Sequence, residues 1–134
     1  MHRGFLRQRW GVLMTITDKK LLSYWRQACV ERAQYCCEYP DCTVKATQLH
    51  AHHLYSRRHV SLRYDLDNAI CLCPYHHTMG SFSAHHDPDF KNLIVATGVR
   101  TEELFDKLRK ERNRVQKNTL AWKQECYDKL KVYL

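Results

Sequence analysis

The sequence predicts an α+β fold in which a short metal-stapled segment with strand-like pieces is covered by helices from both sides. Three observations carry this expectation. Residues 34 to 90 hold five of the seven Cys and eight of the nine His without any sustained periodicity, so they need stabilisation from outside a hydrophobic core, and metal binding is the evident source. Before them, Leu21, Leu22, Trp25, Ala28, Cys29 and Ala33 recur at helical spacing. After them, Leu104, Phe105, Leu108, Val115, Trp122, Cys126 and Leu130 recur mostly at three- or four-residue steps. A chain of 134 residues has room for one core of ordinary volume.

Taken in order, residues 1–16 read as a basic N-terminal arm carrying Arg3, Arg7 and Arg9 without an acid, with Phe5, Leu6 and Trp10 available to dock. Thr17 is a plausible N-cap with Asp18 behind it, which starts a helix over roughly 18–33. Together with the Cys/His-rich segment this helix makes a unit over 17–100, punctuated by Pro40, Pro74, Gly80 and Pro88. From Thr101, another N-cap followed by Glu102 and Glu103, residues 101–134 predict a long amphipathic basic helix, or two broken at Asn118-Thr119, packing on the same domain. Its stretch from Lys107 to Lys117 contains six cations and one acid, as suited to a solvated face as to tracking phosphates. The apolar stripe leaves monomer and homodimer both open.

Composition excludes several classes. The net charge of +8 and an isoelectric point near 9.2 favour a polyanionic partner. Fifteen aromatic residues exclude a wholly disordered chain. No apolar run approaches the roughly 18 residues of a membrane span, and Arg7 and Arg9 interrupt the only candidate for a secretory signal. Seven Cys, an odd number, fit a reducing compartment and metal ligation better than a disulfide framework. A cytoplasmic protein is expected.

Cys37-x4-Cys42 and Cys73-x2-His76 are two close pairs of soft or borderline ligands. Four such groups suit a closed, tetrahedral structural zinc site that staples two loops. Glu38-Tyr39-Pro40-Asp41 supplies the turn inside the first pair. Cys36 is an alternative to Cys37, and Cys71 reads as a small buried apolar residue.

Between the pairs stand Leu49-His50-Ala51-His52-His53-Leu54 and Asp67-Asn68-Ala69-Ile70, and the second pair continues as Leu72-Cys73-Pro74-Tyr75-His76-His77. On a strand, His50 and His52 share one face and His53 takes the other. A histidine pair, a downstream Asn and a last His behind the second metal knuckle resemble the HNH endonucleases, whose active site is the ββα-metal or His-Me finger. The resemblance spans roughly residues 36–90. More narrowly, His53-Leu54-Tyr55-Ser56-Arg57 and Leu62-Arg63-Tyr64-Asp65-Leu66-Asp67-Asn68-Ala69-Ile70-Cys71-Leu72-Cys73 are similar to the phage NinG/Rap-like recombination nucleases.

The resemblance implies a ββα-metal core and a metal-dependent endonuclease acting on DNA, possessed by a phage or bacterium and linked to recombination or DNA processing. It implies His53 as the general base, Asn68 as the residue that locks the loop and orients the base, and His52 and His77 as ligands of one catalytic divalent cation. Mg²⁺ and Mn²⁺ are the expected ions, with Ni²⁺ and Zn²⁺ as alternatives. Two departures matter. His76 stands where most zinc-bearing members have a second Cys, and His52 where many have Asp; a neutral ligand suits a hard ion less well.

A physical argument runs alongside. Hydrolysing a phosphodiester anion needs positive charge at the phosphoryl oxygens and a base beside the water. From Thr43 through Tyr64 the chain holds Lys45, Arg57, Arg58, Arg63 and four histidines, and no acid. Arg57, Arg58 and Arg63 are the candidates for gripping the DNA backbone, since a guanidinium matches phosphate bidentately. Branched or nicked DNA is a possible preference. His50, His85 and His86 remain open between site and surface. The competing expectation is a non-catalytic, zinc-stapled DNA-binding or recombination-accessory module whose histidines line a groove.

Overall fold

The computed structural model describes residues 16–44 and 48–134. The expected basic arm, apart from Ile16, and Lys45 therefore lie outside the described residues. Ile16 itself is a core residue, 4% exposed, so the boundary of any arm falls before it.

Helix α1 (Asp18–Arg32) begins where the sequence indicates, with Thr17 Oγ1 accepting from the Lys20 amide at 3.1 Å. It ends as Gln34 and Tyr35 enter left-handed backbone at φ 53° and 59°, while the Tyr35 amide bonds back to the Val30 carbonyl at 3.1 Å. This reversal turns the chain into the first Cys pair. Strands β1 (His50–His53) and β2 (Ala69–Leu72) then form a two-stranded antiparallel sheet pairing His50 with Leu72, Ala51 with Cys71, His52 with Ile70 and His53 with Ala69. Two short 3₁₀ turns, Val60–Leu62 and Leu66–Asn68, fill the connection. Behind β2 comes a single π-helical turn, Tyr75–Met79. Helices α2 (Phe90–Ala96), α3 (Glu102–Glu111) and α4 (Leu120–Leu130) follow.

The fold is thus α+β, with helices around one small sheet whose two faces serve different ends. Ala69 and Cys71 join Leu21, Trp25, Ala28, Cys29, Tyr64 and Leu130 in a core under α1 and α4. Ile70 and Leu72 join Phe90, Ile94 and Phe105 on the other side. Strict alternation along β2, with all four residues buried, lets one strand serve both cores. Each fully buried large apolar side chain contributes about 1.5–3 kcal/mol, which is where α1 and α4 supply what the irregular segment cannot. The outer edge of β2 is covered by side chains and loop. Arg32 donates to the carbonyls of Leu66 at 2.7 Å and Ala69 at 2.8 Å, and the Glu38 amide donates to the Cys71 carbonyl at 2.8 Å.

Of the two alternatives for the C-terminal part, the structure has two helices: α3 stops at Glu111, and Thr119, at the expected break, caps α4 by accepting from the Trp122 amide at 3.1 Å. Two other expectations are corrected. Val115, expected on the apolar stripe, lies in the linker and is 90% exposed, because helical spacing across residues 112–118 is coincidental in a stretch without an apolar partner. The other correction concerns the element behind Cys73, where the ββα-metal resemblance implies the start of an α-helix. The Gly80 amide reaches back five residues to the Tyr75 carbonyl at 2.8 Å, a widened turn of the kind that often re-aims functional side chains. Among the described residues no helix is long and apolar enough to cross a membrane.

Candidate functional site

The two Cys/His pairs meet. Cys37, Cys42, Cys73 and His76 place one ligand atom each within 4.8 Å of all the others. His76 Nδ1 is 3.7 Å from Cys37 Sγ and 3.3 Å from Cys73 Sγ. Zinc bonds of about 2.3 Å to sulfur and 2.0 Å to nitrogen put tetrahedral ligand atoms roughly 3.3–3.8 Å apart, so the set fits a structural metal such as zinc. The choice between Cys36 and Cys37 falls to Cys37, since Cys36 Sγ turns to the Gln34 carbonyl. Asp41, in left-handed backbone at φ 61°, closes the first turn, a conformation Asp tolerates better than most. Tyr39 stacks flat on the His76 ring at 3.8 Å between centroids and fixes its plane.

The chemistry of the donors agrees with the geometry. Burial first, and then the adjacent Cys42 thiol, push the Cys37 thiol up to about 12 against the lowering effect of nearby backbone amides. A thiolate forms in such a place when a cation supplies the compensating charge. Burial also holds His76 below its ordinary value, which keeps its lone pair free.

A second cluster forms on the opposite side of the π turn. His52, from β1, meets His77 and His85, with ligand nitrogens mutually within 4.8 Å. His77 Nε2 lies 3.0 Å from His85 Nε2, and His77 Nδ1 lies 2.9 Å from His50 Nδ1. The widened turn explains how neighbours serve two sites: His76 points into the Cys cluster and His77 into the imidazole cluster. Burial first, then the neighbouring imidazoles, lower His52 to about 3 and His77 to about 4. Both are neutral at physiological pH, the state in which imidazole ligates. Three convergent nitrogens suit a borderline divalent ion.

His53 does not join this cluster. As strand alternation demands, it faces the other way, stacked on Trp25 with ring centroids 3.8 Å apart and planes 9° apart. Its Nε2 is 2.9 Å from the Arg63 carbonyl. Because a carbonyl only accepts, Nε2 carries the proton and Nδ1 holds the lone pair. Trp25 is itself fixed through its Nε1–H to the Asp65 carbonyl at 3.0 Å. Burial is the main cause of a lowered His53 pKa, and the charges of Arg57, Arg26 and Arg63 add to it against the Arg63 carbonyl.

Asn68 is fully buried and locks the loop after β1. Its Oδ1 accepts from the Tyr55 amide at 2.8 Å, and its Nδ2 donates to the carbonyls of Tyr55 at 2.9 Å and Leu62 at 3.3 Å. Its side chain makes no hydrogen bond to His53, and its influence passes through Leu62 to the next residue, Arg63, whose carbonyl holds the ring. Arg57 and Arg58 are exposed, and Arg63 Nε donates to the Arg57 carbonyl at 2.8 Å.

Four contributors escaped the sequence reading or were left open by it. His85 and His50 complete the imidazole cluster. Trp25 was legible as core, but its service as the platform for His53 was not. Arg26, one residue further along α1, adds charge beside His53 from a helix that the sequence marks only as a cover. The available signals were the density of His from 50 to 86 and the strand face that His50 shares with His52. No family model, no curated protein and no solved structure matches this chain.

Proposed function

We propose that the protein is a metal-dependent endonuclease that hydrolyses DNA phosphodiester bonds at a site of the HNH, ββα-metal type. The observation that carries this reading is the His52–His77–His85 cluster with His53 the next residue on the same strand. Binding DNA calls for cations and not for convergent neutral imidazoles. The order β1, β2 and then a π turn that carries His76 and His77 supports the ββα-metal assignment.

His52, His77 and His85 would hold a divalent ion, which supplies positive charge to the scissile phosphate and to the departing oxygen. His53 accepts the proton of the attacking water at Nδ1, while Nε2–H on the Arg63 carbonyl sets the tautomer. Its lowered pKa keeps it unprotonated and ready. Asn68 positions the loop that carries the carbonyl. Arg57 and Arg58, exposed on that loop, hold the DNA backbone, and the Cys37, Cys42, Cys73 and His76 zinc site keeps the scaffold rigid. One site per chain gives a nick at each encounter.

A second reading has its own support. His53 packs against Trp25 on the face away from the imidazole cluster, as a structural histidine of a DNA-binding or recombination-accessory module would. Supercoiled plasmid incubated with the zinc-loaded protein and Mg²⁺, Mn²⁺ or Ni²⁺ separates the two. Nicking by the wild type that falls about 10²–10⁴-fold in His53→Ala is the expected result. Plasmid binding without cleavage under any ion favours the accessory module, and undiminished cleavage by His53→Ala removes that residue from the base role.

A further inference from the structure

We infer that the cavity beside the imidazole cluster is a nucleobase site, so that the DNA taken by this centre is unpaired where it is cut. The inference rests on the nuclease reading and names its substrate.

The cavity has a volume of about 400 Å³ and is bounded by His52 and His85 on one side. Leu54, Ala84, Phe90 and Phe105 line it beside the charged Asp87 and Lys91. Its size lies within the range of roughly 300–1,000 Å³ usual for small-molecule sites. An aromatic heterocycle has an apolar face and a polar edge and so uses both kinds of wall, whereas an ion or a phosphate uses only the polar part. In a duplex those faces are hidden in the stack, and a protein reads groove edges and phosphates with polar and cationic groups. A cavity with both aromatic and polar walls adjoining the cluster therefore suits a base that has left the stack or was never in one.

An independent feature points the same way. The segment that delivers both His77 and His85 exposes Tyr75, Met79 and Phe82, at 53%, 75% and 61% of their surfaces. Three large apolar side chains exposed within eight residues offer surface that a stacking ligand can cover. Flat, sequence-tolerant stacking beside cations is how proteins hold single strands. Arg57 and Arg58 supply exposed cations on the loop after β1.

The test is fluorescence anisotropy with the zinc-loaded full chain and no further divalent ion. The probes are an oligothymidylate, a duplex of equal length and the same strand with abasic sites at its centre. The strand is expected to bind about tenfold tighter than the duplex, with the abasic strand losing most of that margin. Ala84→Trp, which puts an indole into the cavity, brings the strand-to-duplex ratio close to one. Met79→Ser with Phe82→Ser, both at exposed positions, lowers the same ratio without touching the core. Equal affinity for strand and duplex, or for intact and abasic strands, overturns the inference; the latter comparison uses only the wild type and holds even if Ala84→Trp fails to fold. A strand preference without cleavage under any ion leaves the cavity assignment standing and removes the nuclease reading. Cleavage of strand and duplex alike with no such preference does the reverse.

Discussion

Asn68 shows how a single buried amide governs a loop. Its Oδ1 and Nδ2 satisfy the Tyr55 amide and carbonyl at the mouth of β1, and Nδ2 adds a longer bond to the Leu62 carbonyl, which also accepts from the Asp65 amide at 3.2 Å. Asn68→Ala should cost about 2–4 kcal/mol, since it deletes hydrogen bonds and leaves backbone groups unpaired; the shift of the urea midpoint measures it. Asp18 shows a second residue-scale device. Partial burial opposes ionisation of its carboxyl, but hydrogen bonds from Tyr64, Asn118 and Lys123 prevail and hold it below the ordinary 3.8. The sign follows: this stabilisation is complete above about pH 4 and is lost as pH falls through the lower folded value. Unfolding measured from about pH 6 down to pH 2 should therefore steepen in the wild type relative to Asp18→Asn. Neither role was legible from identity alone. Asn68 was marked only by the resemblance, and Asp18 read as an ordinary first-turn acid, because its partners come from elements 46 and 100 residues away.

At the scale of elements, two turns and a strand do most of the positioning. The Cys37–Cys42 turn is pinned to β2 through the Glu38 amide, and the π turn hands His76 to one cluster and His77 to the other. Removing zinc with a strong chelator should abolish cooperative melting of the segment from 36 to 80, and Cys42→Ser should do so without chelator. Unchanged circular dichroism and melting after complete zinc loss would show that the staple is dispensable. The neighbouring cluster has a prediction of its own. His50 Nδ1 holds His77 Nδ1 at 2.9 Å, so His50→Ala should weaken binding of a second ion by about 10–100-fold, as read by Co²⁺ titration after the Cys site is filled with zinc. Ligand pairs were visible in the sequence because their spacing is local. The partner of His52 and His77 was not, since His85 reaches them through a fold-back in which the Ala84 amide bonds to the His76 carbonyl at 2.7 Å.

For the whole molecule, the small sheet depends on helices from the two ends of the described chain. Leu130 of α4, 1% exposed, closes the core formed by Leu21, Trp25 and Tyr64, and Lys123 of the same helix meets Asp18 at 3.2 Å. Leu130→Ala should cost about 2–5 kcal/mol, and a chain ending at Asn118 should lose its cooperative thermal transition. A truncated chain that melts within a few degrees of the full one would mean that α4 is peripheral. Since Trp25 carries the His53 ring, loosening this core should also reach the candidate site.

The sequence by itself determined the α+β class, the helix starts at Thr17 and Thr101, the pairing of Cys36 or Cys37 with Cys42 and of Cys73 with His76, and the split of His52 and His53 to opposite faces of a strand. These all follow from spacing, capping and strand alternation, which act within a few residues. Only the tertiary structure decided that Cys37 and not Cys36 completes the four-ligand centre, that His50 and His85 gather round His77, that Trp25 seats His53, and that a cavity opens beside His52 and His85. Those arrangements bring together residues dozens of positions apart, and they depend on how helices and loops pack across the sheet, which no local pattern encodes.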